Sequence, residues 1–488
     1  MSLWLSPFWL PLAVVLPFAA ALGCWVAGPR RAGWVAVVGV HLNVLAALAL
    51  AARFLAHGSF RHAVGGWGAP LGIDLQVDGL SALMLVMTAV VGYAISLYAR
   101  GYFADQPKAS AAFWPLWFFL WGGLYALFLT ADIFNFYVTL EVVSLSAVAL
   151  VAISGTPSGL TASLRYLLTA LTGSLLYLLG VGLIYAQADV LDLELLRGVL
   201  GPTPATHAAY VCMTLGLLIK AALFPFHTWL PPAHSQAPAP VSAALSALVV
   251  KGAFYILVRL HLTVWPEQVR IGLASGLGAL GLVAVIWGSL QALRQPRLKL
   301  MIAYSTVAQV GYLFLIFPLC FGTDGFSAVA WKGAWYHVVS HAVAKASLFL
   351  AAGAVLHAAG GDTRAHLRGL GERRPLLATA LALAAVSIMG LPPSGGFVGK
   401  WLLLSASLSI GAWWWVGGLL LGGLLSAAYN FRFLRELFRP APDDLVLHDE
   451  PKVLSRAALF LAVLALLMGL FTGPVLGFLV QPGWEGGP

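Results

Sequence analysis

The chain carries very little charge for its size. Only 9% of its 488 residues are Asp, Glu, Lys or Arg, whereas 60% are hydrophobic, and the mean hydropathy is +0.90. Soluble domains contain about 25% charged residues, so this composition excludes a soluble protein. Apolar runs of about 20 residues, long enough to cross ~30 Å of hydrocarbon, recur throughout. We therefore predict an all-α polytopic membrane protein with almost no soluble part.

Cysteine is scarce, and several chemical motifs are missing. The three cysteines, Cys24, Cys212 and Cys320, lie far apart in or beside apolar segments. They suit neither a disulfide framework nor a CxxC metal site. A GxxxxGK[ST] phosphate loop is absent, which excludes ATP as the energy source of this chain. Without ligands for iron–sulfur or haem and without a Ser-His-Asp pattern, we expect no cofactor, no metal and no enzyme active site.

Fourteen apolar stretches are candidate membrane helices. They cover residues 4–28, 33–56, 78–99, 112–130, 133–154, 163–187, 206–224, 239–260, 271–292, 299–318, 331–356, 377–398, 401–430 and 455–477. An even number places both termini on one side. Loops after odd-numbered helices hold seventeen Lys and Arg and the others six. The positive-inside rule then predicts a cell inner membrane protein with both termini extracytoplasmic. Because these charges are scattered over short loops, the net charge of +9 does not indicate nucleic-acid binding.

Four lysines interrupt these apolar stretches. A charge at mid-membrane costs roughly 3 kcal/mol on insertion scales, and such residues often mark an ion pathway. The stretches also contain one deep carboxylate and two histidines. The resulting candidates for proton translocation are Glu141, Lys220, Lys251, His337, His341, Lys345 and Lys400.

Two helices are predicted to be broken beside a lysine. Prolines follow Lys220 in LLIKAALFPFHTWLPPAH and precede Lys400 in IMGLPPSGGFVGKW. Proline removes a backbone donor, and a break inside a membrane is tolerated where it is buried in protein or lines a wet cavity. Broken helices in both halves are typical of inverted-repeat transporters. Five residues near these breaks or at a helix start are candidates for proton uptake or gating, namely Asp132, Pro225, His227, His234 and Pro393.

Each candidate also has a plainer interpretation. Asp132 starts a helix, where a carboxylate can simply cap free N–H groups, whereas Glu141 is too deep for capping. A lysine within ~4 Å would hold that carboxylate ionised by about 4 kcal/mol at an effective dielectric of 20. Lys220 can instead extend to an interface, and His227 and His234 can cap broken backbone.

The histidines and the third lysine share one helix face. His337, His341 and Lys345 are spaced i, i+4, i+8, so neighbours one turn apart can pass protons. Zinc binding by the histidine pair is the rival interpretation, although no third ligand is evident. Satisfied polar packing is the other alternative.

The chain resembles the antiporter-like membrane subunits shared by respiratory complex I, membrane-bound hydrogenases and Mrp-type cation/proton antiporters. The resemblance extends roughly from Leu80 to Arg439. It is carried by LTADIFNFYVTLEVVSLSA, LLIKAALFPFHTWLPPAHSQAPAPVSAALSALVVKGAFYILVR, LKLMIAYSTVAQVGYLFL, HVVSHAVAKASLFLAAGAV and GLPPSGGFVGKW.

The resemblance implies fourteen core helices with two inverted five-helix repeats. The implied division is 1–111 for helices 1–3, 112–262 for the first repeat, 263–440 for the second, and 441–488 for helix 14. It also implies that Glu141 pairs with the helix-seven lysine Lys220. Lys251, the His337–Lys345 track and Lys400 then follow in the series.

Within the family, the length, the segment AHSQAPAPVSA and a lysine at position 400 most resemble the D-type subunit of Mrp antiporters. The implied function is proton translocation in a multisubunit Na⁺(K⁺)/H⁺ antiporter with other membrane subunits as partners. The alternative is a pump subunit of complex I, of the N type, or of a membrane hydrogenase. In neither case is the chain itself expected to be an enzyme.

Overall fold

The computed structural model describes residues 8–441 and 446–479, which are almost entirely helical. The α-helices in this part are numbered α1 to α19 in chain order. They are Trp9–His57, Gly79–Tyr102, Pro107–Leu129, Ile133–Ala152, Pro157–Ala188, Pro204–Lys220, Leu230–Gln236, Ala239–Ala244, Val250–Thr263, Glu267–Arg294, Leu298–Leu313, Ile316–Phe321, Ala328–Ala359, Leu370–Arg373, Pro375–Met389, Gly395–Ser409, Trp413–Leu437, Lys452–Leu467 and Gly473–Leu476.

Short turns and one hairpin complete the described structure. A π turn, Leu245–Val249, joins α8 to α9. The 3₁₀ turns are Val64–Gly66, Phe226–Trp229, Arg364–Leu367 and Gly477–Leu479. The segment 57–77, expected to be a loop, contains an antiparallel hairpin of β1 (Phe60–Ala63) and β2 (Asp74–Val77).

Nine helices of the described chain are long and apolar enough to cross a membrane, judged by length and composition. The first, α1, combines the two expected helices 4–28 and 33–56, although residues 1–7 lie outside the described part. Its two halves meet at Gly28, whose φ of 69° is a conformation that glycine adopts at little cost. The count of fourteen spans stays a prediction, because several of the remaining helices are shorter than a full span.

Both expected helix breaks are present. Helix α6 ends at Lys220, and the chain then passes through Pro225 and a 3₁₀ turn to α7. Helix α15 ends at Met389, and α16 begins at Gly395. Phe224–Pro225 and Pro392–Pro393 are cis peptide bonds.

Two expected helix boundaries in the second half are wrong. The expected helix 401–430 spans parts of both α16 and α17, because a turn with Gly411 at φ 66° separates them. Lys400 therefore lies within α16, the second segment of the broken helix. The expected helix 299–318 is also divided, with α11 ending at Leu313 and α12 starting at Ile316.

Two spans lie at the centre of the bundle. The most apolar windows of α13 and of the span Ala239–Thr263 are wholly buried, whereas α1, α5 and α10 are half exposed at the periphery. Helix α13 packs against α2, α11, α15, α16 and α18. At Gly399, α16 lies so close to α13 that a Cβ atom would be 2.9 Å from the His337 backbone. The central spans carry Lys251, His337, His341 and Lys345.

Candidate functional site

An ion pair occupies the break after α6. Lys220 Nζ lies 3.4 Å from Glu141 Oε1 of α4 and donates a 2.7 Å hydrogen bond to Ser144 Oγ. The Ser174 hydroxyl of α5 donates to the same Glu141 oxygen. The side chains of Glu141 and Lys220 are only 17% and 5% exposed. The contact predicted between these two residues is therefore present, and each charge has a polar neighbour besides its partner.

The helix break is stabilised from both sides of the turn. Lys220 is the last residue of α6, where the free carbonyl groups favour a cation. The Trp229 indole N–H donates a 2.9 Å hydrogen bond to the carbonyl of Ile219, which also accepts from the Ala222 amide at the end of the interrupted helix. A small cavity lined by Lys220, Trp229 and Val249 adjoins the pair.

Lys251 is fully buried and joined to α11 by hydroxyl groups. Its ammonium donates to the carbonyl of Ser246, within the π turn that precedes α9. The Ser246 hydroxyl lies 2.9 Å from the Thr306 hydroxyl. Thr306 in turn donates to the carbonyl of Ile302 over 3.1 Å, and Lys345 donates to that same carbonyl over 2.9 Å. The Ser246 and Thr306 hydroxyl groups thus lie between Lys251 and Lys345, and each lysine donates to a carbonyl beside them.

The predicted histidine track is present on α13. The rings of His337 and His341 are parallel, with centroids 5.8 Å apart. Neither nitrogen of either ring has a hydrogen-bond partner among the residues that the structure describes. Both histidines lie within electrostatic range of Lys251 and Lys400. The two rings are therefore buried and adjacent, as the predicted track requires, and their role in proton exchange stays a prediction.

Lys400 stabilises the second helix break. Its ammonium donates to the carbonyl groups of Ile388 and Met389, at 2.8 and 3.4 Å, where α15 ends. It also lies 4.6 Å from the centre of the Tyr312 ring. At both breaks, a lysine ammonium therefore lies at the C-terminal end of the first helix segment. Lys220 is part of that segment, whereas Lys400 belongs to the segment that follows the break.

The candidates for proton uptake or gating lie in different environments. Asp132 caps α4, accepting a 2.6 Å hydrogen bond from the Asn135 amide, so its plainer role is observed. Burial raises the pKa of its carboxyl group above the usual value. His227, just after Pro225, accepts from the Trp287 indole at 3.3 Å.

His234 is more deeply placed than His227. Its fully buried ring stacks on Phe349, with centroids 4.5 Å apart. It lies within electrostatic range of Lys251, Lys299 and Lys345. Pro393 lies in the exposed turn between α15 and α16.

Several polar residues near the axis were missed from the sequence. Lys299, counted above as a loop charge, is buried at the start of α11 and donates to the Ala237 carbonyl. Its backbone amide and the Arg297 guanidinium both bind Asp362. The expected helix 299–318 already starts at Lys299, but the burial of this residue was not foreseen.

A second missed pair joins the start of α2 to α9. Arg259 contacts both carboxylate oxygens of Asp78, one of them at 2.6 Å. Burial alone would raise the pKa of Asp78, but the Arg259 charge and the Ser81 amide hold it below the usual value. Arg259 was expected only to mark a helix end, whereas α9 continues to Thr263.

The zinc interpretation gains no third ligand. Within residues 8–441 and 446–479, no group of three or more His, Cys, Asp and Glu side chains is placed to hold a metal ion. The buried polar residues instead form a row of lysines, histidines and hydroxyl groups with one carboxylate. Such a row can accept, hold and pass protons.

Comparison with known proteins gives the family of the chain. Residues 130–426 match the family model described as NADH:quinone oxidoreductase/Mrp antiporter, TM, which is more than half of the chain. The chain belongs to this family. Residues 67–111 also match the model for the N-terminus of chain 5 of NADH-ubiquinone oxidoreductase, complex I.

Relatives in this family carry two kinds of name. The chain is 34% identical to NADH-quinone oxidoreductase subunit N of Desulforudis audaxviator, over 96% of this chain and 97% of the relative. It is 29% identical to the D-type Na⁺/H⁺ antiporter subunit of Bacillus subtilis, over 84% and 82% of the two chains.

Solved structures of the family have the same fold. A chain of the Mrp complex from Dietzia sp. matches with a TM-score of 0.88 and 25% identity, over 98% of this chain and 96% of the other. A chain of the membrane-bound sulfane sulfur reductase, an archaeal respiratory complex, matches equally well, with a TM-score of 0.88, 27% identity and 96% coverage of both chains. The chain is therefore similar to subunits of hetero-oligomeric membrane complexes.

Proposed function

We propose that this chain is a proton-translocating subunit of a multisubunit Na⁺(K⁺)/H⁺ antiporter, similar to the D-type subunit of Mrp antiporters. The observation that carries the proposal is the buried Glu141–Lys220 pair at a helix break, followed by Lys251, Lys345 and Lys400 in the same membrane domain. Removal of each ammonium group from water costs free energy, and stabilisation of the helix breaks accounts only for Lys220 and Lys400, not for Lys251 and Lys345.

The Glu141–Lys220 pair acts as the loading site in this proposal. At 3.4 Å the carboxylate stabilises the ammonium form of Lys220. If Glu141 moves away, the lysine loses that stabilisation and releases its proton toward the next acceptor. Ser144 and Ser174 keep each member hydrogen-bonded during such a movement. The pair therefore has the parts of a switch that loads and unloads one proton.

The second part of the route is a connected cluster. The hydroxyl groups of Ser246 and Thr306 lie between Lys251 and Lys345, and each lysine donates to a carbonyl next to one of these hydroxyls. In contrast, the described residues provide no direct hydrogen bond from Lys220 to this cluster. We propose that transfer between the two parts takes place across the cavity beside Val249, and that it is the controlled step.

Orientation and repeat structure remain part of the proposal. The loop charges support extracytoplasmic termini in a cell inner membrane. Breaks in both halves support two inverted repeats covering 112–262 and 263–440, with helices 1–3 before them and one after. Exchange of sodium or potassium requires the partner subunits, and the chain itself carries out no covalent chemistry.

A pump subunit of a redox complex is the second candidate. It is favoured by the 34% identity with an NADH-quinone oxidoreductase subunit N over 97% of that relative. The same lysine row would serve in such a complex, but electron transfer in other subunits would drive it.

Two experiments test the proposal. Everted membrane vesicles containing the native complex receive a sodium or potassium pulse while a pH-sensitive dye follows proton movement. We expect Lys220→Ala and Lys251→Ala to abolish the response, whereas Lys332→Ala, outside the lysine row, retains it. Full transport in Lys220→Ala with normal assembly refutes the proposal.

Affinity purification of the tagged complex separates the two candidates. Co-purification of hydrophobic subunits only, without flavin or iron–sulfur absorbance, supports the antiporter. Peripheral redox subunits with those absorbance bands support the alternative.

A further inference from the structure

Lys345 and Lys400 lie on different helices and are linked by polar groups of a third. The Lys345 ammonium donates to the Ser305 hydroxyl of α11. The Lys400 ammonium donates over 2.8 Å to the Ile388 carbonyl, which also accepts a 3.2 Å hydrogen bond from Ser426 of α17. Ser305 thus contacts Lys345, whereas Ser426 shares the Ile388 carbonyl with Lys400. One residue lies between the two serines.

That residue is Tyr429, which is fully buried on α17. Its hydroxyl is 2.9 Å from the Ser426 hydroxyl and has Ser305 as a neighbour. The Gln309 side-chain amide donates to the phenol oxygen over 3.4 Å. A phenylalanine would fill the same space, so packing alone does not account for a hydroxyl with three polar neighbours in an apolar interior.

We propose that the Tyr429 hydroxyl is the proton relay between Lys345 and Lys400, held in position by Ser305 and Ser426. This inference rests on the proposed function. Lysine offers only donors when charged, and a carbonyl only accepts, so neither can complete the path. A hydroxyl both donates and accepts, and the hydroxyl groups of Ser305, Tyr429 and Ser426 extend from Lys345 to the Ile388 carbonyl that Ser426 shares with Lys400.

The proton balance of the transfer is simple. The Lys345 ammonium gives one proton to Ser305, and Ser305 passes its own hydroxyl proton to the Tyr429 oxygen. The phenol passes its proton to Ser426. The Ser426 proton passes to the neutral Lys400 amine when that amine turns away from the Ile388 carbonyl, which both groups contact. Each hydroxyl ends with one proton, so the net change is one proton moved from Lys345 to Lys400. Rotation of the hydroxyl groups then restores the starting arrangement.

The neighbouring route through aromatic rings is less suitable. Tyr312 presents the face of its ring to the Lys400 ammonium, at 4.6 Å from the centroid. Its hydroxyl has no hydrogen-bond partner in the described part of the chain. A ring face attracts the cation but cannot accept its proton for onward transfer. Tyr429 is therefore the tyrosine placed to act between the lysines.

The test compares single and double variants of the complete complex in everted vesicles. Tyr429→Phe removes only the hydroxyl, and we expect proton movement at least ten-fold slower, with Ser426→Ala also slower. Tyr125→Phe is the matched control, because Tyr125 is equally buried and its hydroxyl donates to one backbone carbonyl far from the lysines. Its rate should stay normal, and all three should melt at similar temperatures.

A double variant distinguishes a relay from a structural role. If the relay acts through Lys400, Tyr429→Phe combined with Lys400→Ala is no slower than Lys400→Ala alone. Additive losses, or a normal rate in Tyr429→Phe while Lys400→Ala is inactive, overturn the relay but leave the proposed function standing. Full transport in Lys400→Ala contradicts the proposed function itself.

A replacement that preserves the shape of the tyrosine side chain provides a second test if these variants assemble poorly. With 3,5-difluorotyrosine at position 429, a more acidic phenol, a relay predicts a changed rate and an unchanged melting temperature. An unchanged rate overturns the relay.

Discussion

Replacing Glu141 by glutamine removes one charge from the membrane interior and keeps the volume of the side chain. The amide can still accept a hydrogen bond from Ser174, so local packing is preserved. Lys220 loses its only carboxylate neighbour in the described structure and keeps the hydrogen bond to Ser144. The substitution therefore isolates the electrostatic part of the interaction.

The expected size of the effect follows from the distance. Two unit charges 3.4 Å apart interact by about 5 kcal/mol at an effective dielectric of 20. Removing one partner of a buried pair typically costs about 3–5 kcal/mol. If only about 1.4 kcal/mol of this reaches the barrier to proton transfer, the rate falls ten-fold. We expect a loss of at least that size.

The assay is the initial rate of sodium-driven proton movement in everted vesicles, normalised to the amount of assembled complex. Glu194→Gln is the matched control, because Glu194 also pairs with a cation, Arg61 at 3.2 Å, but its side chain is 70% exposed. Surface pairs contribute about 0–1 kcal/mol, so this variant should transport normally. If Glu141→Gln keeps more than half of the normal rate, the pair is not the loading site.

Three further predictions concern other parts of the molecule. Asp78→Asn leaves Arg259 unpaired and should destabilise the detergent-solubilised complex by about 3 kcal/mol. Because the pKa of Asp78 is lowered in the fold, the difference in melting temperature from wild type should be complete above pH 3.8 and disappear as the pH falls further. Gly399→Ala forces α16 away from α13 and should cost about 1–3 kcal/mol and slow transport, whereas Gly417→Ala, with open space around its Cβ position, should melt like wild type. Ser246→Ala interrupts the link between the central lysines, so proton movement should slow several-fold with little change in melting temperature, and an unchanged rate contradicts the link.

Much of this arrangement was predictable because membranes impose strong rules. Charges such as Lys220 and Lys345 stand out in apolar runs, and proline runs mark helix breaks. A buried carboxylate needs a partner, and the family resemblance identified Lys220 as the partner of Glu141. The histidine track followed from helical spacing alone.

Other features depend on tertiary contacts that no local pattern contains. No proline or glycine within the π turn before Lys251 predicts it from the sequence. The turn forms where α8 meets α9, and all of its residues are buried. Ser305 and Tyr429 are 124 positions apart in sequence, and small hydroxyl residues occur in most membrane helices. The burial of Lys299 was missed because a lysine at the start of a membrane helix normally faces the membrane surface.

The two parts of the lysine row differ in how their charge is balanced. Lys220 has a carboxylate at 3.4 Å, so that pair is neutral when both members are charged. Lys251, Lys345 and Lys400 donate to carbonyl and hydroxyl oxygens instead, and none of them forms an ion pair within the described residues. Lys345 lies within electrostatic range of both Lys251 and Lys400, so ammonium groups at these positions repel one another.

Repulsion between Lys251, Lys345 and Lys400 makes this cluster responsive to each arriving proton. A proton delivered to Lys251 destabilises the ammonium form of Lys345. The ammonium form of Lys345 in turn destabilises that of Lys400. The arrival of charge at one end therefore favours its departure at the other. The neutral pair at Lys220 has no such effect until Glu141 and Lys220 separate. In the proposed mechanism, the ion pair therefore controls release of the proton across the cavity beside Val249, and the unpaired lysines carry it onward.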